Sequence, residues 1–186
     1  MIELDIALLK AINGLYIYGL DRAMLVISGT LIWIPLFIYI IWQFVTTHGK
    51  KFGIYAVILA SLSIGMSDLV SSRIFKPTVQ RHRPSYDENL KDVLHYAKDS
   101  NGNDYRGGEF GFYSSHASNF AALTFFVLLA LPRHYRLKTI LILATILTSL
   151  SRIYLGVHFP TDILMGWIMG GMFGYVFYKL FAFIKR

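Results

Sequence analysis

The chain has no cysteine, so neither a disulfide framework nor a thiolate site is open to it. Charge is scarce: Asp, Glu, Lys and Arg make up 16% of its 186 residues, against 55% hydrophobic. The apolar residues come in long runs, more than a soluble domain of this length could bury. No low-complexity tract, convincing internal repeat or soluble second domain interrupts them. The carboxylates form no metal-type cluster. The N-terminus carries Glu3 and Asp5 in place of a basic segment, so no cleavable signal peptide is expected. The net charge of +7 could suggest nucleic acid, but most of it lies in short loops between apolar runs, which excludes a polybasic binding face.

What is present is a series of segments near the ~20 apolar residues a helix needs to cross a bilayer. The expected spans are residues 23–45, 52–75, 115–131, 137–153 and 161–184. The second turns polar at its end, with Ser67, Asp68, Ser71, Ser72, Arg73 and Lys76. A long polar loop over residues 77–113 separates it from the third and is expected to hold a short helix at 89–98. Residues 3–18 read as a short amphipathic helix in the membrane interface, with Leu4, Leu8, Ile12 and Leu15 opposite Glu3, Lys10 and Asn13; an ordinary packing helix is the alternative. The expected fold is one all-α membrane domain over 1–186, with about five transmembrane helices.

Charge orients these spans. The loops 46–51 and 132–138 and the C-terminal end hold Lys50, Lys51, Arg133, Arg136, Lys138, Lys179, Lys185 and Arg186, and no acidic residue. All 11 carboxylates belong to the other side. The basic side is therefore expected to be cytoplasmic. The polar ends of the second and third spans, and the junction of the last two, would then face the periplasm or the outside.

Three clusters lie at that outer face. The first runs from Lys76 through Arg81, His82 and Arg83 to Pro84; Arg offers a planar fork and Lys a point charge to phosphate oxygens. The second is Tyr113-Ser114-Ser115-His116, where Ser114 or Ser115 can cap the third span and its free N–H groups favour an anion. The third runs from Ser151-Arg152 to His158, Pro160 and Asp162. Pro160 suits the first position of a helix and Asp162 its first turn. An Asp that accepts from one imidazole nitrogen leaves the other free to attack. Each cluster alone has a plain alternative: basic residues meeting lipid headgroups, a cap beside an incidental histidine, or an ion pair of Arg152 with Asp162 or Asp68. Together they hold what in-line phosphoryl transfer requires: cations, a nucleophile and an acid for the leaving oxygen.

With these residues in place the chain resembles the type 2 phosphatidic acid phosphatase (PAP2) superfamily. The first motif, K-x6-R-P, is met by Lys76, Arg83 and Pro84; the third, S-R-x5-H-x3-D, by Ser151, Arg152, His158 and Asp162. The second, usually P-S-G-H, reads Tyr113-Ser114-Ser115-His116, with Pro and Gly replaced. The resemblance implies a catalytic set of His158 as nucleophile, Asp162 orienting it and His116 as acid and then base. It implies that Lys76, Arg83, Arg152, Ser114 and Ser115 hold phosphate, with no metal or other cofactor. The implied substrate is a membrane lipid phosphate, with undecaprenyl diphosphate first because an outward site suits carrier-lipid recycling in a bacterial inner membrane. Phosphatidylglycerol phosphate, phosphatidate, lipid A phosphates and phosphate transfer to another lipid stay open, and a vanadium haloperoxidase-like oxidoreductase is the remote alternative.

Outside the motifs, Asp68 is expected to pair with Lys76 or Arg152, or to make a polar helix contact. Gly166, Gly170 and Gly174 form a close-packing stripe. His48, His82, His95 and His134 are expected in solvated loops. The 85–111 loop is a candidate lid or headgroup contact.

Overall fold

A computed structural model describes residues 2–186, the side chains of Ile2 and Tyr18 excepted. The described residues form seven helices: α1 (Ile2–Asn13), α2 (Tyr18–Ser28), α3 (Ile34–Leu69), α4 (Lys76–Val79), α5 (Ser115–Ala130), α6 (Tyr135–Tyr154) and α7 (Pro160–Ile184). No strand occurs among them, only two isolated bridges. Helix α3 is a hairpin: Gly49, at φ 76° and ψ 165°, breaks it into two arms. That backbone conformation suits glycine, and the arms pack Ile40 and Phe44 against Ala56, Leu59 and Ala60. The two arms, α5, α6 and α7 make the five apolar rods of the bundle. A π-helical turn, Val70–Phe75, carries the second arm on to α4.

Helix α5 is central, packed against α3, α6 and α7. Its contact with α7 is the closest, because Gly166, Gly170 and Gly174 face it. A Cβ at Gly170 would lie 2.1 Å from Ser118 O, and one at Gly174 2.4 Å from Ala122 O. The stripe is thus a contact of backbone on backbone, as the spacing suggests. Outward faces of the rods carry Ile38, Trp42, Ile58, Leu62, Leu143, Leu147, Ile168 and Val176, all exposed. Such an apolar belt fits a bilayer and no aqueous surface. At one end of the bundle Thr47 meets His134, and Lys185 meets His48, which joins loop 46–51, the α5–α6 turn and the C-terminus. The other end collects α1, α2, α4, the long loop and the α6–α7 junction.

Four expectations change. The first rod starts near residue 31, not 23, because the chain breaks at Gly29 and α2 docks on α6; there Asp21 accepts from Tyr154 Oη at 2.6 Å. Helix α1 ends at Asn13, short of residue 18, and its other side is docked and not solvated: Asp5, Leu9 and Asn13 are buried while Leu4, Leu8 and Leu15 lie outside. Asn13 ties it to the bundle by donating to His95 O at 2.8 Å and Tyr154 O at 2.7 Å. The outward leucines remain free for the membrane interface. Residues 89–98 form turns, not a helix, with Leu90 and Leu94 drawn into the cluster around Leu9. Finally, His95 is paired with Asp21 at 2.8 Å and stacked on Tyr16, and His48 Nε2 lies 3.0 Å from Ala130 O. Neither is a solvated loop residue.

Candidate active site

The site is built where three chain segments converge. Arg83 precedes Pro84 and is extended, as that position requires (φ −67°, ψ 156°). Arg83 N donates to Glu109 O and Gly111 N to Arg81 O, with His82 and Phe110 bridged antiparallel. In an extended segment alternate side chains share a face. His82 accordingly points out, while Arg81 and Arg83 both point in.

Arg83 and Arg152 are buried, at 8% and 2% exposure. Arg83 reaches Phe110 O and Val157 O; Arg152 Nη1 donates to Ser28 Oγ and, at 2.9 Å, to Tyr105 Oη. Lys76 Nζ donates to Ser115 Oγ at 2.7 Å. None of the three cations forms an ion pair among the described residues, so the expected alternative of Arg152 with Asp162 or Asp68 is not what forms. Arg152 Nε is buried without a partner. Burial, then the charge of Arg152, lowers the Arg83 pKa to about 10, which leaves it charged at neutral pH. Grouped buried cations without a carboxylate are costly unless an anion joins them.

His158 follows Gly156 in the short α6–α7 turn and is 1% exposed. Pro160 occupies the start of α7, and Asp162 sits in its first turn. Asp162 Oδ2 accepts from Phe159 N at 3.0 Å and faces His158 Nδ1 at 3.4 Å. Burial, followed by the charges of Arg83, Arg152 and Lys76, holds the His158 pKa well below its ordinary value. A neutral imidazole whose Nδ1–H faces Asp162 keeps the Nε2 lone pair free.

Ser114 caps α5, its Oγ accepting from Ala117 N at 3.4 Å, and its own N–H donates to Asp162 O at 3.1 Å. Ser115 Oγ is shared between Lys76 and Ser71. His116, in the first turn of α5, lies within electrostatic reach of Lys76, Arg83, Arg152 and His158. It borders a cavity of about 440 Å³ that also meets Asp68 and Asn119. Asp68 makes no ion pair among the described residues; its Oδ1 accepts from Asn119 Nδ2 at 3.3 Å.

Four supports, Arg81, Asp5, Tyr105 and Ser28, are not assigned from the sequence. Arg81 donates to Asp162 Oδ1 at 2.8 Å, Thr161 Oγ1 at 2.7 Å and Asp5 Oδ2 at 2.7 Å, and lies over the Phe159 ring at 4.2 Å. Asp5, on α1, also accepts from Thr161 N at 2.9 Å. Tyr105 brings the long loop to Arg152. For Arg81 a signal exists: in Arg81-His82-Arg83 before proline, the two arginines must share a face. Asp5, Tyr105 and Ser28 are set by tertiary contacts alone. Among the described residues no three or more His, Asp or Glu converge as a metal site.

The chain is similar to several known proteins. Over 177 residues the chain is 33% identical to a lipid A 4'-phosphatase of Bacteroides thetaiotaomicron, covering 95% of this chain and 76% of that one. It is 31% identical to a lipid A 4'-phosphatase of Porphyromonas gingivalis, covering 100% and 76%. An undecaprenyl-diphosphatase, BcrC of Bacillus subtilis, is 25% identical over 91% of this chain and 80% of its own. The fold matches a transmembrane PAP2 type phosphatidylglycerolphosphate phosphatase from Bacillus subtilis with a TM-score of 0.69 at 24% identity, over 99% and 87% of the two chains. It matches LpxE of Aquifex aeolicus at 0.55 and 24% identity, over 95% of each. The PAP2 superfamily model matches residues 51–186, and the chain belongs to that superfamily as an integral-membrane member.

Proposed function

We propose that the protein is a metal-independent lipid phosphatase that works through a phosphohistidine on His158. The observation that carries this is the set of three cations, Lys76, Arg83 and Arg152, gathered around a buried neutral histidine with no carboxylate paired to them. A phosphate dianion fits that vacancy of negative charge. His158 Nε2 attacks phosphorus, the bond from phosphorus to the alcohol oxygen breaks, and His116 gives that oxygen its proton. Water then loses a proton to His116 and attacks phosphorus. The P–N bond breaks, releasing inorganic phosphate and free His158. The cations hold the non-bridging oxygens, the task a metal performs elsewhere. Asp162 keeps the ring oriented.

The substrate we favour is a phosphomonoester on a lipid of the lipid A type, ahead of undecaprenyl diphosphate, because both relatives above 30% identity are lipid A 4'-phosphatases. The charge bias of the loops supports a site on the outer side of a bacterial inner membrane. The test is release of inorganic phosphate by the detergent-purified chain from lipid A, phosphatidylglycerol phosphate, phosphatidate and a prenyl diphosphate. Trapping of ³²P on the wild-type chain, absent from His158→Ala, supports the intermediate; label retained by that variant rejects it.

A further inference from the structure

A cavity of about 440 Å³ begins at Ser115 and His116, beside the cation cluster. From His116 it runs past Thr30, Asp68 and Asn119 and between Phe37, Ile64, Phe120 and Leu123. A second cavity of about 220 Å³ shares Phe37, Ile64 and Leu123 and continues between the arms of α3 along Ile40, Phe44, Val57 and Ala60. Along these cavities the lining passes from Ser115 and His116, past Asp68 and Asn119, to hydrocarbon.

The acceptors are specific. Asp68 is half-buried, and among the described residues its carboxylate accepts a side-chain hydrogen bond from Asn119 Nδ2 alone, at 3.3 Å. Asn119 Oδ1 is buried with no partner. The Asp68 carboxylate, braced by the Asn119 amide, thus lies beside the histidine that protonates the leaving oxygen. A buried acceptor is satisfied only by a donor. A second phosphate in this place would meet a carboxylate of its own sign.

We propose that Asp68 and Asn119 form the subsite for the leaving alcohol and select a phosphate carried on a sugar or polyol. A hydroxyl or amide N–H beside the phosphate-bearing carbon donates to this pair, and the acyl chains follow into the apolar cavity. This rests on the reading of His158 and His116 above and adds the class of leaving group. It sets a prenyl diphosphate apart as a poor substrate, since its leaving group is itself an anion set against the Asp68 carboxylate.

The experiment measures kcat/KM of the full chain in detergent for lipid A, which carries sugar phosphate, and for farnesyl diphosphate. Wild type prefers lipid A. A hydrogen bond to a charged group is worth about tenfold or more in selectivity, so Asp68→Asn lowers the ratio of the two values by about that factor, chiefly through KM on lipid A. Asn119→Leu lowers the same ratio. An equal loss on both substrates would show that Asp68 only balances the charge of Lys76, and an unchanged ratio in both variants, or a wild-type preference for the diphosphate, would likewise overturn the subsite. Failure of the mechanism looks different: no turnover of any lipid, or turnover that survives His158→Ala.

Discussion

His158 and His116 belong to one charge cluster but are held in opposite ways. Around His158 every contact is closed. Asp162 is bonded on one oxygen by Phe159 N and on the other by Arg81, and Arg81 is bonded in turn to Thr161 and Asp5. Around His116 the contacts are open: a cavity and, among the described residues, a carboxylate in no ion pair and an amide oxygen with no donor. A nucleophile has to be aimed before the substrate arrives, so rigid support serves it. A leaving group has to enter and depart, so unsatisfied acceptors that the substrate completes serve that side.

Substitutions can break this contrast in graded steps. His158→Ala on the closed side removes the attacking atom, and phosphate release should fall by about six orders of magnitude, as for other nucleophile deletions, in a chain that still elutes as a folded species. Arg81→Ala should come next. It strands a buried carboxylate, a change that costs about 3–5 kcal/mol where a buried pair is broken. Both melting temperature and kcat should drop, and Arg81→Lys, which keeps charge but loses the fork, should recover only part of either. Asp5→Asn removes the outer carboxylate and leaves Arg81 on Asp162. A loss of about 1–3 kcal/mol in stability, with kcat reduced less than by Arg81→Ala, is expected from a weakened buried bond. If Asp5→Asn matches Arg81→Ala, the two-layer arrangement is wrong.

The pH dependence sharpens the same point. His158 is held neutral in the folded chain by burial and by Arg83, Arg152 and Lys76, whereas unfolded it takes up a proton near its ordinary value. Its contribution to stability is therefore whole above pH ~6.5 and declines as pH falls below it, by at most about 1.4 kcal/mol per unit. A thermal-melting series from pH 8 to 5 should show this fall, and His158→Asn should flatten it. The smallest effect concerns metal: EDTA should leave phosphate release unchanged, and a restoration of lost activity by added divalent cation would contradict the mechanism.

Much of this was legible in the chain. The ends of α5, α6 and α7 follow from apolar runs bounded by Ser114, Pro132 and Pro160, local signals that tertiary contacts do not override. The motif residues are legible for a similar reason, since their spacing is a property of span ends. What could not be read depends on long-range polar bonds. Asn13 ties α1 to residue 95 and to the end of α6, and this buries a side of the helix that hydrophobic spacing leaves to solvent. Asp21 does the same for α2, detaching it from the first span. Tyr105 looks like any loop aromatic until the loop folds back on Arg152. Arg81 lay within reach of inference, because the alternation that brings Arg83 inward must bring Arg81 with it.

The glycine stripe of α7 has a mechanical consequence. Asp162 stands one turn before Gly166, and His116 two residues before Ser118, which Gly170 touches. With backbone set on backbone, the two helices cannot slip lengthwise past each other without collision. Any shift of α7 along α5 would move His158 and Asp162 relative to His116, so this close packing keeps the two histidines in register.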